Sequence, residues 1–201
     1  IIQKRSSLAN NLTLALSESA STTDANIVFG ITSGSNYSYV TGSITKGSFV
    51  NISAVYDPQG DEKTKLIIDD LVYSSSMDTV FDSLDYASED LTIGTGEQAR
   101  LNDIVFDQQE TFSGSIDDIR FFHKVKNLND IKKEKYITPY PDDYLKLYFK
   151  FNEPSGSYSA RKIALDSSKS NLHTDITNYL DNFSRVTGSD SPVKNELHER
   201  N

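Results

Sequence analysis

A chain of 201 residues is long enough for one domain of ordinary size, or for one domain and part of another. Its formal charge of −9 and sequence pI of about 4.8 argue against nucleic acid as the main ligand, because binding phosphates needs a basic surface. With no cysteine it has no disulfide and no thiolate metal site, and no apolar run approaches the roughly 18–20 residues of a membrane span.

The predicted elements are short and mostly extended. Leu12, Leu14 and Leu16 alternate with Asn11, Thr13 and Ala15, the period-two pattern of a strand with one buried and one wetter face. Residues 26–31 and 37–41 read as two more strands, separated by Ser33-Gly34-Ser35-Asn36, and Thr45-Lys46-Gly47-Ser48 follows as a turn. Val50, Ile52 and Ala54 alternate with Asn51, Ser53 and Val55. After Asp57-Pro58-Gln59-Gly60 come strands at 64–68 and 90–94, then the turn Gly94-Thr95-Gly96. The run Phe112-Ser-Gly-Ser-Ile-Asp-Asp-Ile-Arg-Phe-Phe-His123 reads as a strand entered through a glycine, with an acidic pair mid-course. One helix is predicted: Asn127 or Asn129 caps it, residues 130–135 continue it, and Thr138-Pro139 stops it. Leu145, Leu147, Phe149 and Phe151 then alternate with Lys146, Tyr148 and Lys150. Many short strands beside one short helix point to an all-β sandwich or barrel, whose large apolar volume comes mainly from Tyr and Phe.

Several of these segments resemble laminin G-like domains, members of the concanavalin A-like lectin and glucanase superfamily. The run 112–123 and the helix after it resemble the family's closing strand. Gly47-Ser48-Phe49-Val50-Asn51-Ile52-Ser53-Ala54-Val55-Tyr56-Asp57 resembles its central strand, with Phe49 where tryptophan is usual. Lys65-Leu66-Ile67-Ile68-Asp69-Asp70-Leu71-Val72 resembles the following hairpin, but Asp69-Asp70 replaces the usual Asn-Gly and points to another turn type. Leu91-Thr92-Ile93-Gly94 resembles the short strand before the closing segment. The resemblance implies an antiparallel jelly-roll β-sandwich with one short helix near the closing strand. Val50, Ile52, Ala54, Ile116, Ile119, Phe121, Leu147 and Phe149 are the predicted core.

On this reading residues 1–138 hold the later strands of one module. Tyr144-Leu-Lys-Leu-Tyr-Phe-Lys-Phe-Asn-Glu153 and Ala164-Leu165-Asp166-Ser167-Ser168-Lys169-Ser170-Asn171 resemble the family's opening strand and its Asp-x-Ser turn. Residues 139–176 therefore open a second module, or supply a strand that completes the same sandwich. Residues 177–201 read as a linker or tail. The chain opens with Ile1-Ile2-Gln3 and shows no signal peptide, so it reads as part of a longer protein.

Calcium is the cofactor that the resemblance allows. Asp117 and Asp118 are its candidate ligands, with Asp166 in a second oxygen-rich turn beside Ser167, Ser168 and Asn171. Adjacent strand residues point to opposite faces, so the Asp117–Asp118 pair needs a bulge; the apolar set shifts parity there, from Phe112 and Ile116 to Ile119 and Phe121. The competing reading uses one aspartate to accept backbone hydrogen bonds and pairs the other with Arg120 or Lys124, with Asp166 in an Asx-turn. The acidic loop 57–62 does not match EF-hand spacing.

Catalysis is not expected. Glucanases of the superfamily set carboxylates at alternating positions, Glu-x-Asp-x-(x)-Glu, and that pattern is missing. His123, His173 and His198 lie in no zincin-like context. Glycan binding needs an aromatic platform, for which Tyr37 and Tyr39 are the candidates, with Tyr73 and Tyr86 behind them. The Asn-x-Ser/Thr sequons at Asn11, Asn36, Asn51 and Asn182 are close to the number that composition alone supplies.

The sequence thus points to a non-catalytic structural or adhesion module of a larger surface or virion protein, phage-like in its lack of cysteine. Its partners would be other subunits or modules of the same assembly, contacted through the loops 33–36, 57–62 and 94–100. A virion or an extracellular cell surface is the expected location, with no nucleic acid and no membrane insertion. The alternatives are a calcium-assisted glycan-binding module, recognising surface glycans, and an accessory domain of a glycosidase.

Overall fold

A computed structural model describes residues 1–17, 21–77, 79–84, 86, 88–101, 104–107, 111–151 and 163–177. The described residues are mostly β, with antiparallel sheets and one short helix among them. It divides into two compact units, Ile1–Gly114 and Ser115–Asn201.

In the first unit, β1 (Ile2–Ser7), β2 (Asn10–Ser17), β3 (Asp24–Ser33), β4 (Asn36–Thr45) and β8 (Leu91–Ile93) form one sheet in the order β4-β3-β2-β1-β8. The strands β5 (Ile52–Tyr56), β6 (Thr64–Ile68) and β7 (Leu71–Ser74) form a three-stranded meander. The strands β9 (Ala99–Leu101) and β10 (Ile104–Phe106) pair antiparallel as a separate two-stranded ladder. Residue 64 to residue 68 is a strand as predicted, and β3 and β4 run further at both ends than the apolar pattern shows. Their long pairing is set by the turn: Ser33 faces Asn36, and Gly34 supplies the positive φ of 62° that a two-residue hairpin needs.

The main core lies on one face of the five-stranded sheet. Leu14, Ile27, Phe29, Ile31 and Val40 cluster with Leu66 and Ile68 of β6, and Val50 and Ile52 pack against them half-buried. Each large side chain buried there contributes about 1.5–3 kcal/mol. Ala54, predicted to be inside, is exposed. It shares a face with Ile52 and pairs with Leu66, but it belongs to the outer strand β5.

The alternation in β2 is not a simple inside–outside pattern. Asn11 and Thr13, predicted to be wetter, are buried, and Leu16 is 37% exposed. The reason is a second cover. Asn11 and Thr13 point to the face opposite the main core, and there the segment 94–101 lies over the sheet. Leu101 packs on Gly30, and Arg100 donates its backbone N–H to Leu8 O at 3.0 Å. Under this cover the polar groups bond one another. Asn11 Nδ2 donates to Leu8 O (2.9 Å), Thr13 Oγ1 to Asn11 Oδ1 (3.0 Å) and Gln3 Nε2 to Thr13 Oγ1 (3.2 Å).

The predicted aspartate turn at 69–70 is of another kind, as its residues suggest. Asp69 adopts a φ of 51° whereas Asp70 does not take a positive φ, so this is not the Asn-Gly type in which both central residues do. Asp69 is held in place by Asn51, which donates its N–H to Asp69 Oδ1 (3.1 Å) and accepts the Asp69 N–H (2.8 Å).

In the second unit, β11 (Ile119–Phe122) pairs antiparallel with β12 (Leu145–Phe149), and α1 (Leu128–Glu134) lies between them in sequence. The two-residue strands β13 (Ile163–Ala164) and β14 (Thr174–Asp175) form a separate ladder. Asn127 caps α1, accepting the Asp130 N–H at 2.9 Å. The predicted strand over 112–123 is shorter than expected. Asp118 takes a left-handed φ of 58°, so the extended run begins only at Ile119. Of the core predicted here, Ile119, Leu147 and Phe149 are buried, while Ile116 and Phe121 are half-buried. Tyr148, assigned to the wetter face, is 1% exposed.

Candidate functional site

Tyr37 and Tyr39 lie two residues apart on β4, an outer strand of its sheet, so both project from one face. Their rings stack with centroids 6.4 Å apart and planes 25° apart. The facing positions on β3 are Thr32, which is buried, and Gly30, on which Leu101 rests. Thr79 Oγ1 donates to Tyr37 O at 2.8 Å and anchors the strand. The result is a half-buried aromatic surface, able to offer ring faces to a ligand.

The acidic pair is organised by Arg120. Its guanidinium is ion-paired with Asp118 and also donates to Glu134 O (2.7 Å) and Ile137 O (2.8 Å). Glu134 ends α1, so a cation sits where the helix exposes its last carbonyls. Arg120 also lies 5.4 Å from the centre of the Tyr148 ring. Burial, and after it the Asp118 charge and hydrogen bond, pushes the Tyr148 phenol above its ordinary pKa. The two ionic side chains are only 12% and 9% exposed. This is the competing sequence reading, in which one aspartate pairs with Arg120. Asp117 is half-buried and also has an interaction partner.

Asp166 is a fully engaged carboxylate, whereas the buried Oδ1 of Asp118 has no hydrogen-bond partner. Its Oδ1 accepts from Tyr148 N (2.9 Å) and Ser168 N (2.8 Å). Its Oδ2 accepts from Ser168 Oγ (2.8 Å) and Leu172 N (2.9 Å). A carboxylate has about four lone-pair sites, and four donors occupy them. Burial raises the carboxyl pKa, but the hydrogen bonds from Leu172, Ser168 and Tyr148 outweigh it and hold the group below its usual range. The Asp166 N–H is satisfied by His173 Nδ1 at 3.0 Å.

The geometry keeps these aspartates apart. Phe149 pairs with Ile119 across one edge of β12 and bridges to Asp166 across the other. Asp118 and Asp166 thus approach β12 from opposite sides and share Tyr148 as a neighbour. Among the described residues, no three His, Cys, Asp or Glu side chains gather as a metal site would require. No helix among them is long and apolar enough to cross a membrane. Of the sequons, Asn11 is fully buried, Asn36 is exposed at a hairpin, and Asn51 is half-buried; Asn182 lies outside the described residues.

Two groups of residues were not singled out from sequence. One is the Gln3–Thr13–Asn11 chain, which carries no motif. The other surrounds the turn Tyr140-Pro141-Asp142-Asp143-Tyr144, where two tyrosines flank a rigid acidic turn. That spacing was the available signal. Comparison with known proteins finds no matching family model, no matching curated protein and no matching solved structure.

Proposed function

We propose that the chain is a non-catalytic module of a larger surface or virion protein, and that its fold is a jelly-roll sandwich of the laminin G-like kind. Its role is structural or adhesive, through contacts with other subunits or with a cell surface. The observation that carries this reading is how the chemistry-bearing side chains are used. Asp118, Arg120 and Asp166 are each bonded within the fold, as are Gln3, Asn11 and Thr13. Groups consumed in this way rigidify a scaffold rather than act on a substrate.

The apolar groups left outside suit contact. Leu71 and Val72 on the outer strand β7 are 63% and 42% exposed, and an outer strand offers unpaired backbone groups to a neighbour. The test is an assay panel of β-glucans and sialosides with the purified chain, alongside cross-linking within the parent assembly. No turnover and cross-links to neighbouring subunits are the expected results. Turnover abolished by replacing a single carboxylate would overturn the proposal.

The stacked Tyr37–Tyr39 pair favours a second reading, a glycan-binding module. Loss of glycan binding on Tyr37→Ala with Tyr39→Ala would promote it.

A further inference from the structure

We propose that a shallow cleft of about 460 Å³ in the second unit, lined by His123, Tyr140, Asp143, Tyr144, Lys146 and Lys169, binds a carboxylate-bearing pyranose such as a uronate or sialate. The inference rests on a site separate from the Tyr37–Tyr39 stack and deepens the glycan reading.

The cleft has a stiff frame. Asp142 Oδ1 accepts the N–H groups of Tyr144 and Leu145, both at 2.9 Å, which fixes the turn into β12. His123 donates its N–H to Tyr144 O at 3.0 Å and closes the end of the β11–β12 pair. The His123 ring lies 5.4 Å from the Tyr144 ring at 57°, and Lys124 Nζ is 4.4 Å from the centre of that ring. Tyr144 is held by these contacts yet stays 43% exposed.

Tyr140 is 84% exposed, and a large aromatic side chain standing in water beside a rigid turn is a ready stacking face. Polar groups line the same cleft. Lys169 Nζ bonds Asp143 Oδ1 at 3.0 Å, and both heads are open to solvent. That hydrogen bond, the Lys169 charge and the more distant Lys146 hold the Asp143 carboxyl below its usual range.

A pyranose matches this arrangement. Its C–H face stacks on tyrosine, and its hydroxyls bond the Asp143 carboxylate and the Lys169 ammonium. The volume is in the range of small-ligand sites, about 300–1,000 Å³. Charge selects the acidic sugar. Asp142 is occupied by backbone N–H groups and Asp143 by Lys169, while Lys146 adds a cation at the rim and Lys124 another over Tyr144. The lining acids Asp142 and Asp143 are balanced by Lys146 and Lys169, and Lys124 over the Tyr144 ring tips the local balance to a single positive charge in a chain of net charge −9, which favours a carboxylate on the ligand.

The experiment titrates the full 201-residue chain with alginate oligosaccharides and sialyllactose, each beside a neutral counterpart, by calorimetry or NMR. Binding of an acidic sugar at least tenfold tighter than its neutral partner is expected, weakened about tenfold by Tyr140→Ala and by Lys146→Met. Tyr140 is so exposed that its removal should leave the fold intact, which a thermal melt checks. Tyr37→Ala with Tyr39→Ala should leave this binding unchanged. No binding, equal binding of neutral sugars, or binding insensitive to Tyr140→Ala would overturn the assignment. Loss confined to the Tyr37/Tyr39 variant would also overturn it, while supporting the other glycan site.

Discussion

Leu101 rests directly on the bare Cα of Gly30. A Cβ built at Gly30 would lie 2.3 Å from Leu101 Cδ2 and 2.7 Å from its Cδ1. Leu101 is 1% exposed, so its side chain has little room to retreat. Gly30→Ala should therefore destabilise the fold by about 1–3 kcal/mol through overpacking. Leu101→Ala should cost about 2–5 kcal/mol by leaving a cavity. In urea unfolding the double variant should cost clearly less than the sum, because the new methyl enters the space that the leucine leaves. Additive losses would mean that the two residues do not touch.

The cover over that face is also held by an amide pair. Gln3 Nε2 donates to Glu97 O at 2.9 Å, and Glu97 N donates to Gln3 Oε1 at 2.6 Å. Gln3 is buried, so Gln3→Leu leaves Glu97 N–H and O without these partners while keeping the side-chain volume similar. A loss of about 1–3 kcal/mol is expected from the unsatisfied groups. Hydrogen exchange at the Glu97 amide should rise well beyond the change at β3 amides. Equal protection of the Glu97 amide in the parent chain and in Gln3→Leu would show that this amide pair does not hold the cover.

The all-β class and most strand positions were legible because they rest on local signals. Period-two alternation marks β2, β5 and β12, glycine marks the β3–β4 turn, and Asn127 or Asn129 marks the helix start, where Asn127 is the cap. The failures have a common physical origin. Which face of a strand is buried depends on what lies over it, and Asn11 and Thr13 are buried by a segment almost ninety residues later in the chain. Tyr148 reads as a half-exposed strand tyrosine until Arg120 and Asp118 close over it. At the candidate sites, sequence named the aspartates and both of their possible roles. It could not choose between those roles, because only the positions of Arg120, Ser168 and Leu172 decide how many lone pairs are taken.

Asp166 makes that choice testable by pH. Its folded pKa lies below the ordinary value because four donors favour the charged form despite burial. The unfolded chain therefore binds the proton more readily. The stability from this group is present above the ordinary pKa of about 3.9 and is lost as pH falls through the lower folded value. Hydrogen exchange at Tyr148 and Leu172 should accelerate in that acid window. Asp166→Asn should remove the pH dependence and also raise exchange at neutral pH, since its amide NH₂ would face N–H donors. An Asn variant as protected as the parent would show that the carboxylate is dispensable.

The last prediction separates the ion pair from a calcium site. Asp166 is saturated by donors, so calcium would have to displace existing bonds there, and at Asp118, whose buried Oδ1 has no hydrogen-bond partner, it would have to compete with the Arg120 charge. A ligand that binds only the folded state raises the melting temperature, and millimolar calcium is expected to leave it unchanged relative to chelator. Arg120→Ala, in contrast, should destabilise by about 3–5 kcal/mol, because it strands a buried carboxylate. It also releases the carbonyls of Glu134 and Ile137, so α1 should lose exchange protection along with β11. Adding Asp118→Asn to Arg120→Ala should recover part of the loss by removing the unpaired charge. If calcium instead stabilised the parent chain and that gain vanished in Asp118→Asn, the aspartate would be a ligand and the Arg120 pair its resting state.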